Sequence, residues 1–304
     1  MKIKDYLTPE QIQYFSAKDD KQAWMLLLRC WLAIFFLFYL VDRWTNPFTV
    51  IAAIVLLGGF ILNLAVIMHE CGHHTFFKSS KINQYAGQWL AAAPAFNNLG
   101  FFAAEHKEHH RKTGTLDDPN IENYRAYPID KSSFIRKVKR DLSGQTGFKL
   151  LAFVLKSALK YFSDKSNKVA IASLQIVAAQ LIILCVVSVL FSPWMYLLWL
   201  GAMLTSYMLV VRIRQIAEHG AVPNYFNDDP RNNTRTTIPK GLESILLAPN
   251  FVSYHIEHHF MPSVPCYKLK ELHYLLKGKR AYDNTRIYNG FAEVIKQVVL
   301  PQPS

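Results

Sequence analysis

Ten of the chain's 11 histidines fall in four short clusters. HECGHH supplies His69, His73 and His74, and HKEHH supplies His106, His109 and His110. His219 stands alone in RIRQIAEHG, and HIEHH supplies His255, His258 and His259. Residues at i, i+3 and i+4 share a helix face, so each HxxHH string projects its imidazoles one way. His69 and His73 are spaced i, i+4, whereas His74 lies about 140° round an ideal helix. That spacing favours His73, and both stay candidates. Neutral imidazole is a common transition-metal ligand, and one ion takes about four to six donors. Eight to ten histidines exceed what one ion can use, so two metals sharing the set is the economical reading.

Other chemistries fit less well. HECGH matches the zinc-protease pattern HExxH, but that use leaves seven of the clustered histidines idle. Cys30, Cys71, Cys185 and Cys266 form no CxxC pair, which excludes a disulfide scaffold and a cysteine zinc site. His273 stands apart in a leucine-rich stretch and reads as structural or interfacial.

The elements that must position these histidines are apolar. Residues 24–41 carry a single charge, Arg29, and residues 48–68, 169–191 and 194–211 carry none. A helix of about 20 residues crosses the hydrocarbon core of a bilayer. The expected fold is therefore all-α and integral to the membrane, with four transmembrane helices. Mean hydropathy is only +0.08 because the rest is polar. A softer run, 85–104, contains Gln88, Pro94, Asn97 and Asn98, which suits a re-entrant or interfacial segment. The short connections 42–47 and 192–193 hold one basic residue, Arg43, of the 34 in the chain. The positive-inside rule then puts both termini and the active site in the cytoplasm. A single domain, 1–304, is expected, with a cytosolic helical cap at 105–168 and 212–304 carrying the histidine boxes. All four clusters meet on that face if 85–104 is re-entrant; a fifth crossing would separate the first two.

The formal charge of +12 marks the same face and suits anionic headgroups or an acidic protein. The basic residues follow the membrane boundary, which sets nucleic-acid binding aside. Residues 148–162 place Lys149, Lys156 and Lys160 at helical spacing among apolar clusters, the pattern of an interfacial amphipathic helix. No signal peptide is expected, because the first apolar run follows a mixed-charge segment and precedes no cleavage site. A metal transporter would place ligands within the spans, and the four runs contain no histidine, aspartate or glutamate.

Three stretches carry a resemblance: HECGHHTF at 69–76, HKEHHRKTGTLDDP at 106–119 and NFVSYHIEHHFMPSVPCYKLKELH at 250–273. There the sequence resembles the membrane fatty acid desaturase superfamily. RIRQIAEHG followed by NNTRTT at 232–237 resembles a bacterial branch of it. The resemblance implies two iron ions held by His69, His73 or His74, His106, His109, His110, His219, His255, His258 and His259, and no catalytic residue beyond these ligands. Gln215, one turn before His219, could hold a water or a hydrogen bond behind them. Glu105, Glu108, Glu218, Glu257, Asp117 and Asp118 are candidates to orient ring nitrogens.

The implied reaction uses O2 as co-substrate and removes hydrogen from an unactivated methylene. Loss of a second hydrogen desaturates a fatty acyl chain. Oxygen rebound makes the alternative, a hydroxylase or oxygenase of a lipid, alkane or carotenoid. Trp89, Phe96, Phe101, Phe102, Trp194, Trp199 and Tyr207 are available as tunnel walls. The chain has no haem motif, CxxC pair or GxGxxG loop. A separate electron donor of ferredoxin or cytochrome b5 type is expected, docking on a basic surface that includes Lys137, Lys139 and Arg140.

Overall fold

The computed structural model describes residues 1–301, and nearly all its regular structure is helical. α1 (Pro9–Ser16) leads into α2 (Asp20–Arg43), whose first turn is capped by the Asp19 carboxylate. Asn46 accepts from the Phe48 and Thr49 N–H groups, and Pro47 starts α3 (Pro47–Gly72). Among the described residues, four helical stretches are long and apolar enough to cross a membrane: Pro9–Arg43, Pro47–Gly72, Lys168–Leu190 and Pro193–His219. Each covers one of the expected runs, the third stopping one residue short of its end at Phe191. The second and fourth overrun their apolar runs at the C-terminal end, and so carry His69 and His219 on rigid helix.

The 85–104 run forms no crossing helix. α4 (Ser80–Gly87) passes into a π turn at Gln88–Ala92, the chain turns through 93–98, and α5 (Leu99–Lys112) leads back. Side chains satisfy the broken backbone, as a break among apolar helices requires. Gln180, in the third crossing stretch, donates to the Ala93 and Pro94 carbonyls at 3.0 and 3.1 Å. Gln88 Oε1 accepts from the Leu99 N–H at 2.9 Å, and Trp31 Nε1 donates to the Leu90 carbonyl at 3.0 Å.

α6 (Lys131–Leu142) and α7 (Gln145–Leu159) precede α8 (Lys168–Leu190). α7 buries Gly147, Val154 and Ala158 and exposes Phe148, Phe153, Leu155 and Leu159. α9 (Tyr196–Leu204) bends at Thr205 into α10 (Ser206–His219). α3 is the hub of the bundle, packed on α2, α5, α9 and α10. Gly58 permits the closest approach, because a Cβ there would collide with Ser206 and Tyr207 of α10. Arg212 of α10 makes a bidentate pair with the fully buried Asp141 at the end of α6.

α11 (His255–Phe260), α12 (Cys266–Gly278) and α13 (Phe291–Val298) complete the cap. Two short parallel pairings clip its ends, Ile129–Asp130 with Val299–Leu300 and Thr237–Ile238 with Tyr288–Asn289. Tyr127, Ile216, Tyr288, Phe291, Val294 and Val298 form a small core beneath them.

Candidate metal centre

The end of α3 decides between His73 and His74 as neighbours of His69. The Thr75 N–H bonds the Glu70 carbonyl, and the His74 N–H bonds the Cys71 carbonyl, both at 3.0 Å. This paired closure needs a left-handed residue at its centre, and His74 takes it with φ 57°. His74 is consequently exposed, while His73, still in the helical region, turns inward.

The other nine clustered histidines form two groups. His69, His73, His106, His110 and His258 make one, and His109, His219, His255 and His259 the other. Within each group one ligand atom per residue lies within 4.8 Å of all the others. The HxxHH strings thus do not act as units facing one way. Successive residues are rotated by about 100°, so His109 leaves its neighbours for the second group and His258 leaves its neighbours for the first. Each string feeds both groups, which locks them side by side; the His110 and His259 rings stack at 4.3 Å between centroids.

The donor chemistry fits metal ions. His110 Nε2 stands 3.0 Å from His106 Nε2 and 2.9 Å from His258 Nε2. His255 Nε2 stands 2.9 Å from His219 Nε2 and 3.1 Å from His259 Nε2. The His219 Nδ1–H donates to the Asn233 carbonyl at 3.1 Å, so its Nε2 in a neutral ring bears only a lone pair. Where both facing nitrogens bear lone pairs they repel at such distances, and a metal ion between them turns that repulsion into shared coordination, as a single N–H proton does for one pair at a time. Two nitrogens about 2.1 Å from one ion and at right angles to it stand about 3.0 Å apart. Nε2 of His69 and of His73 are buried without any hydrogen-bond partner among the described residues.

Carboxylates hold the opposite ring nitrogens of His109 and His69. Asp118 Oδ1 lies 2.8 Å from His109 Nδ1, and Glu70 Oε1 lies 3.0 Å from His69 Nδ1. The other Glu70 oxygen accepts from Thr75 Oγ1 and from the Cys266 N–H, at 3.0 and 2.8 Å. Glu218 lies 3.6 Å from His255 Nδ1 and is itself held by Arg214 at 2.7 Å. The hydrogen bonds of Asp118 and Glu70 fix the tautomer and the ring plane of His109 and His69. Burial opposes ionisation of Asp118, but its bonds with His109 and Tyr124 hold it below the usual carboxylate range.

The remaining candidates lie elsewhere. Glu257 faces away from the centre and is bonded by His273 Nδ1 at 2.6 Å, Thr236 Oγ1 at 2.6 Å and the Tyr282 hydroxyl. That places His273 as a buried support of α11. Glu108 pairs with Arg111 in solvent, and Asp117 is exposed. Glu70, the Asn233 carbonyl and Arg235 were not singled out by sequence reasoning. Glu70 had a signal, its adjacency to His69.

A cavity of about 360 Å³ borders both groups, touching His69, His106, His109, His219 and His255. Leu62, Ala65, Met68, Phe101, Phe102, Tyr207 and Val211 give it apolar walls, and Glu105, Asn120, Asn123, Arg214 and Gln215 polar ones. Gln215 therefore borders the same cavity as His219. Four expected wall residues are absent from it. Trp199 is fully buried and donates to Gln180 at 3.1 Å, Phe96 is buried, and Trp89 and Trp194 are exposed.

A basic groove lies on α6, lined by Arg136, Lys137, Lys139 and Arg140. Lys139 is exposed, whereas Lys137 rests 5.9 Å over the Tyr127 ring and Arg140 is half-buried.

Residues 45–289 match the fatty acid desaturase family. Dihydrorhizobitoxine desaturase of Bradyrhizobium elkanii is 25% identical over 246 residues, covering 75% of this chain and 67% of that protein. The sn-1 oleoyl-lipid 12-desaturase of Synechocystis sp. is 24% identical over 269 residues, 81% of this chain and 74% of its own. Beta-carotene ketolase of Paracoccus sp. (strain PC1) is 24% identical over 253 residues, 80% of this chain and 87% of its own.

Proposed function

The chain belongs to the fatty acid desaturase family, and from that premise we propose that its two histidine groups hold two iron ions and that it desaturates a fatty acyl chain. It is a membrane oxidoreductase of that family, with four candidate crossing helices and histidine groups fitted to a di-metal site. Bound there, the iron pair would supply the O2-dependent oxidation that an unactivated C–H bond requires, with electrons from a separate ferredoxin or cytochrome b5 type carrier. We take the ligands to be the nine grouped histidines, with His74 outside the set.

The observation that carries this reading is the cavity bordering both groups. Its walls of Leu62, Ala65, Met68, Phe102 and Val211 would seat an apolar chain and exclude water beside the metals. Asp118 and Glu70 hold the His109 and His69 imidazoles in one tautomer, which orders one donor of each group before metal arrives. The positive-inside pattern supports a cytosolic cap, and the exposed apolar face of α7 suits the headgroup boundary. Both pieces of the cap pack on one bundle, in keeping with a single domain over 1–304.

A second reading, oxygenation of a lipid, alkane or carotenoid, is favoured by the similarity to a beta-carotene ketolase across 80% of this chain. Desaturation and hydroxylation share their first hydrogen abstraction. Mass spectrometry of lipids from expressing cells separates them: the expected product has lost two hydrogens, and a gain of one oxygen establishes the rival. Purified protein without iron, or with iron unaffected by His258→Ala plus His259→Ala, would defeat both.

A further inference from the structure

We propose that Arg235 is a positioning residue for the four-histidine group, acting through the end of α10 that carries His219, and that its loss weakens metal binding there before it affects the five-histidine group. The proposal rests on the reading that both groups bind metal.

Arg235 is only 3% exposed, so its charge must be compensated. Among the described residues it has no carboxylate partner. Its guanidinium donates instead to four main-chain carbonyls at the end of α10: Ile216 at 3.3 Å, Ala217 at 3.0 Å, Gly220 at 2.7 Å and Ala221 at 3.0 Å. Helix C-termini leave carbonyls unpaired and carry partial negative charge, so a buried cation there binds the helix end tightly. His219 sits among those four residues, as the last residue of α10. The guanidinium also lies 4.8 Å over the Tyr288 ring, which fixes its plane.

The rest of the segment reaches the other ligands of the same group. Two residues before Arg235, the Asn233 carbonyl takes the His219 Nδ1–H at 3.1 Å. One residue after it, Thr236 Oγ1 accepts the Ile256 N–H at 3.1 Å and donates to Glu257 at 2.6 Å, both on α11. α11 carries His255 and His259, together with His258 of the five-histidine group, so the Thr236 contacts support both groups and the selectivity rests on Arg235 and Asn233 at the end of α10. One short segment thus touches the two helices that supply three of the four donors. The five-histidine group is ordered differently, through Glu70 bridging His69, Thr75 and the Cys266 N–H. A lysine cannot reproduce Arg235, because one ammonium cannot reach four carbonyls in a fixed fork.

The test measures iron per chain and thermal midpoint after anaerobic reconstitution of the purified full chain with Fe(II). Wild type is expected to bind two irons. Arg235→Gln should retain one, with binding of the second weakened about 10- to 100-fold, the usual effect of losing an outer support. Adding His219→Ala should remove nothing more, whereas adding His73→Ala should empty the protein. If Arg235→Gln does not fold, Arg235→Lys keeps the buried charge and should show the weakened second iron with a near-normal midpoint. Two irons held at wild-type affinity in a folded Arg235 variant overturn the proposal. So does equal loss of both irons from a folded variant. A wild-type chain that binds no iron overturns the metal reading, and the proposal with it.

Discussion

His109 Nδ1 and Asp118 Oδ1 stand 2.8 Å apart, both buried, with the carboxylate also bonded by the Tyr124 hydroxyl and by the Asn120 N–H at 2.9 Å. Asp118 thereby holds the His109 Nδ1 proton and leaves Nε2 as the donor atom. In Asp118→Asn the acceptor loses its charge and can flip its amide. Iron affinity of the four-histidine group should fall about 10- to 100-fold. Tyr124→Phe removes only the outer bond and should cost far less. Equilibrium iron titration of the two variants checks the order, and equal losses would contradict this role for Asp118.

His73 and His74 should separate cleanly. His73→Ala removes a donor from the five-histidine group and should abolish one iron and turnover. His74 is exposed in the left-handed region, where a side chain costs about 1 kcal/mol relative to glycine. His74→Gly should keep both irons and leave thermal stability equal or slightly higher. Iron content and melting of the two variants decide the matter, and iron lost from His74→Gly would reverse the assignment.

The contrast between these neighbours shows what sequence carries and what it cannot. The four candidate crossing helices were readable because runs of helix length with at most one charge have few other uses in a 304-residue chain. The i, i+4 spacing already favoured His73, but the closure that turns His74 outward depends on φ at one residue. The division of HKEHH and HIEHH between two groups follows from helical rotation, yet it needs the relative placement of α5 and α11. The Asn233 carbonyl is invisible in sequence, since every residue has one. Trp199 read as a tunnel wall because aromatic character does not say which face of a helix meets which neighbour. It supports Gln180 instead.

The basic surface on α6 should be tested with the residues that face solvent. Lys137 packs on Tyr127, so reversing it would disturb folding as well as charge. Lys131, Arg136 and Lys139 are exposed. Changing these three to Glu should lower turnover with an acidic protein donor several-fold, with a weaker dependence on ionic strength. Turnover with a chemical reductant should be unchanged. Equal rates in both assays would remove the donor-docking role.

The metal-free protein should lose stability as pH falls through the histidine range. Burial first, and neighbouring imidazoles second, hold His106, His255, His258 and His259 well below the ordinary histidine value. The same causes lower His73 to about 4 and His110 to about 2. An unfolded chain protonates such residues near 6.5, whereas the folded one keeps them neutral. Below 6.5 the unfolded state therefore binds more protons, and stability drops with falling pH. Well below that point each such imidazole contributes about 1.4 kcal/mol per pH unit. The thermal midpoint of apoprotein should thus be flat in mild alkali and fall steeply from about pH 7 to about pH 5. His258→Ala plus His259→Ala removes two of these groups and should make the decline shallower, even where it lowers the midpoint at neutral pH. Melting curves across that range provide the measurement, and a midpoint that is constant or rises toward acid would show that the imidazoles are not held neutral.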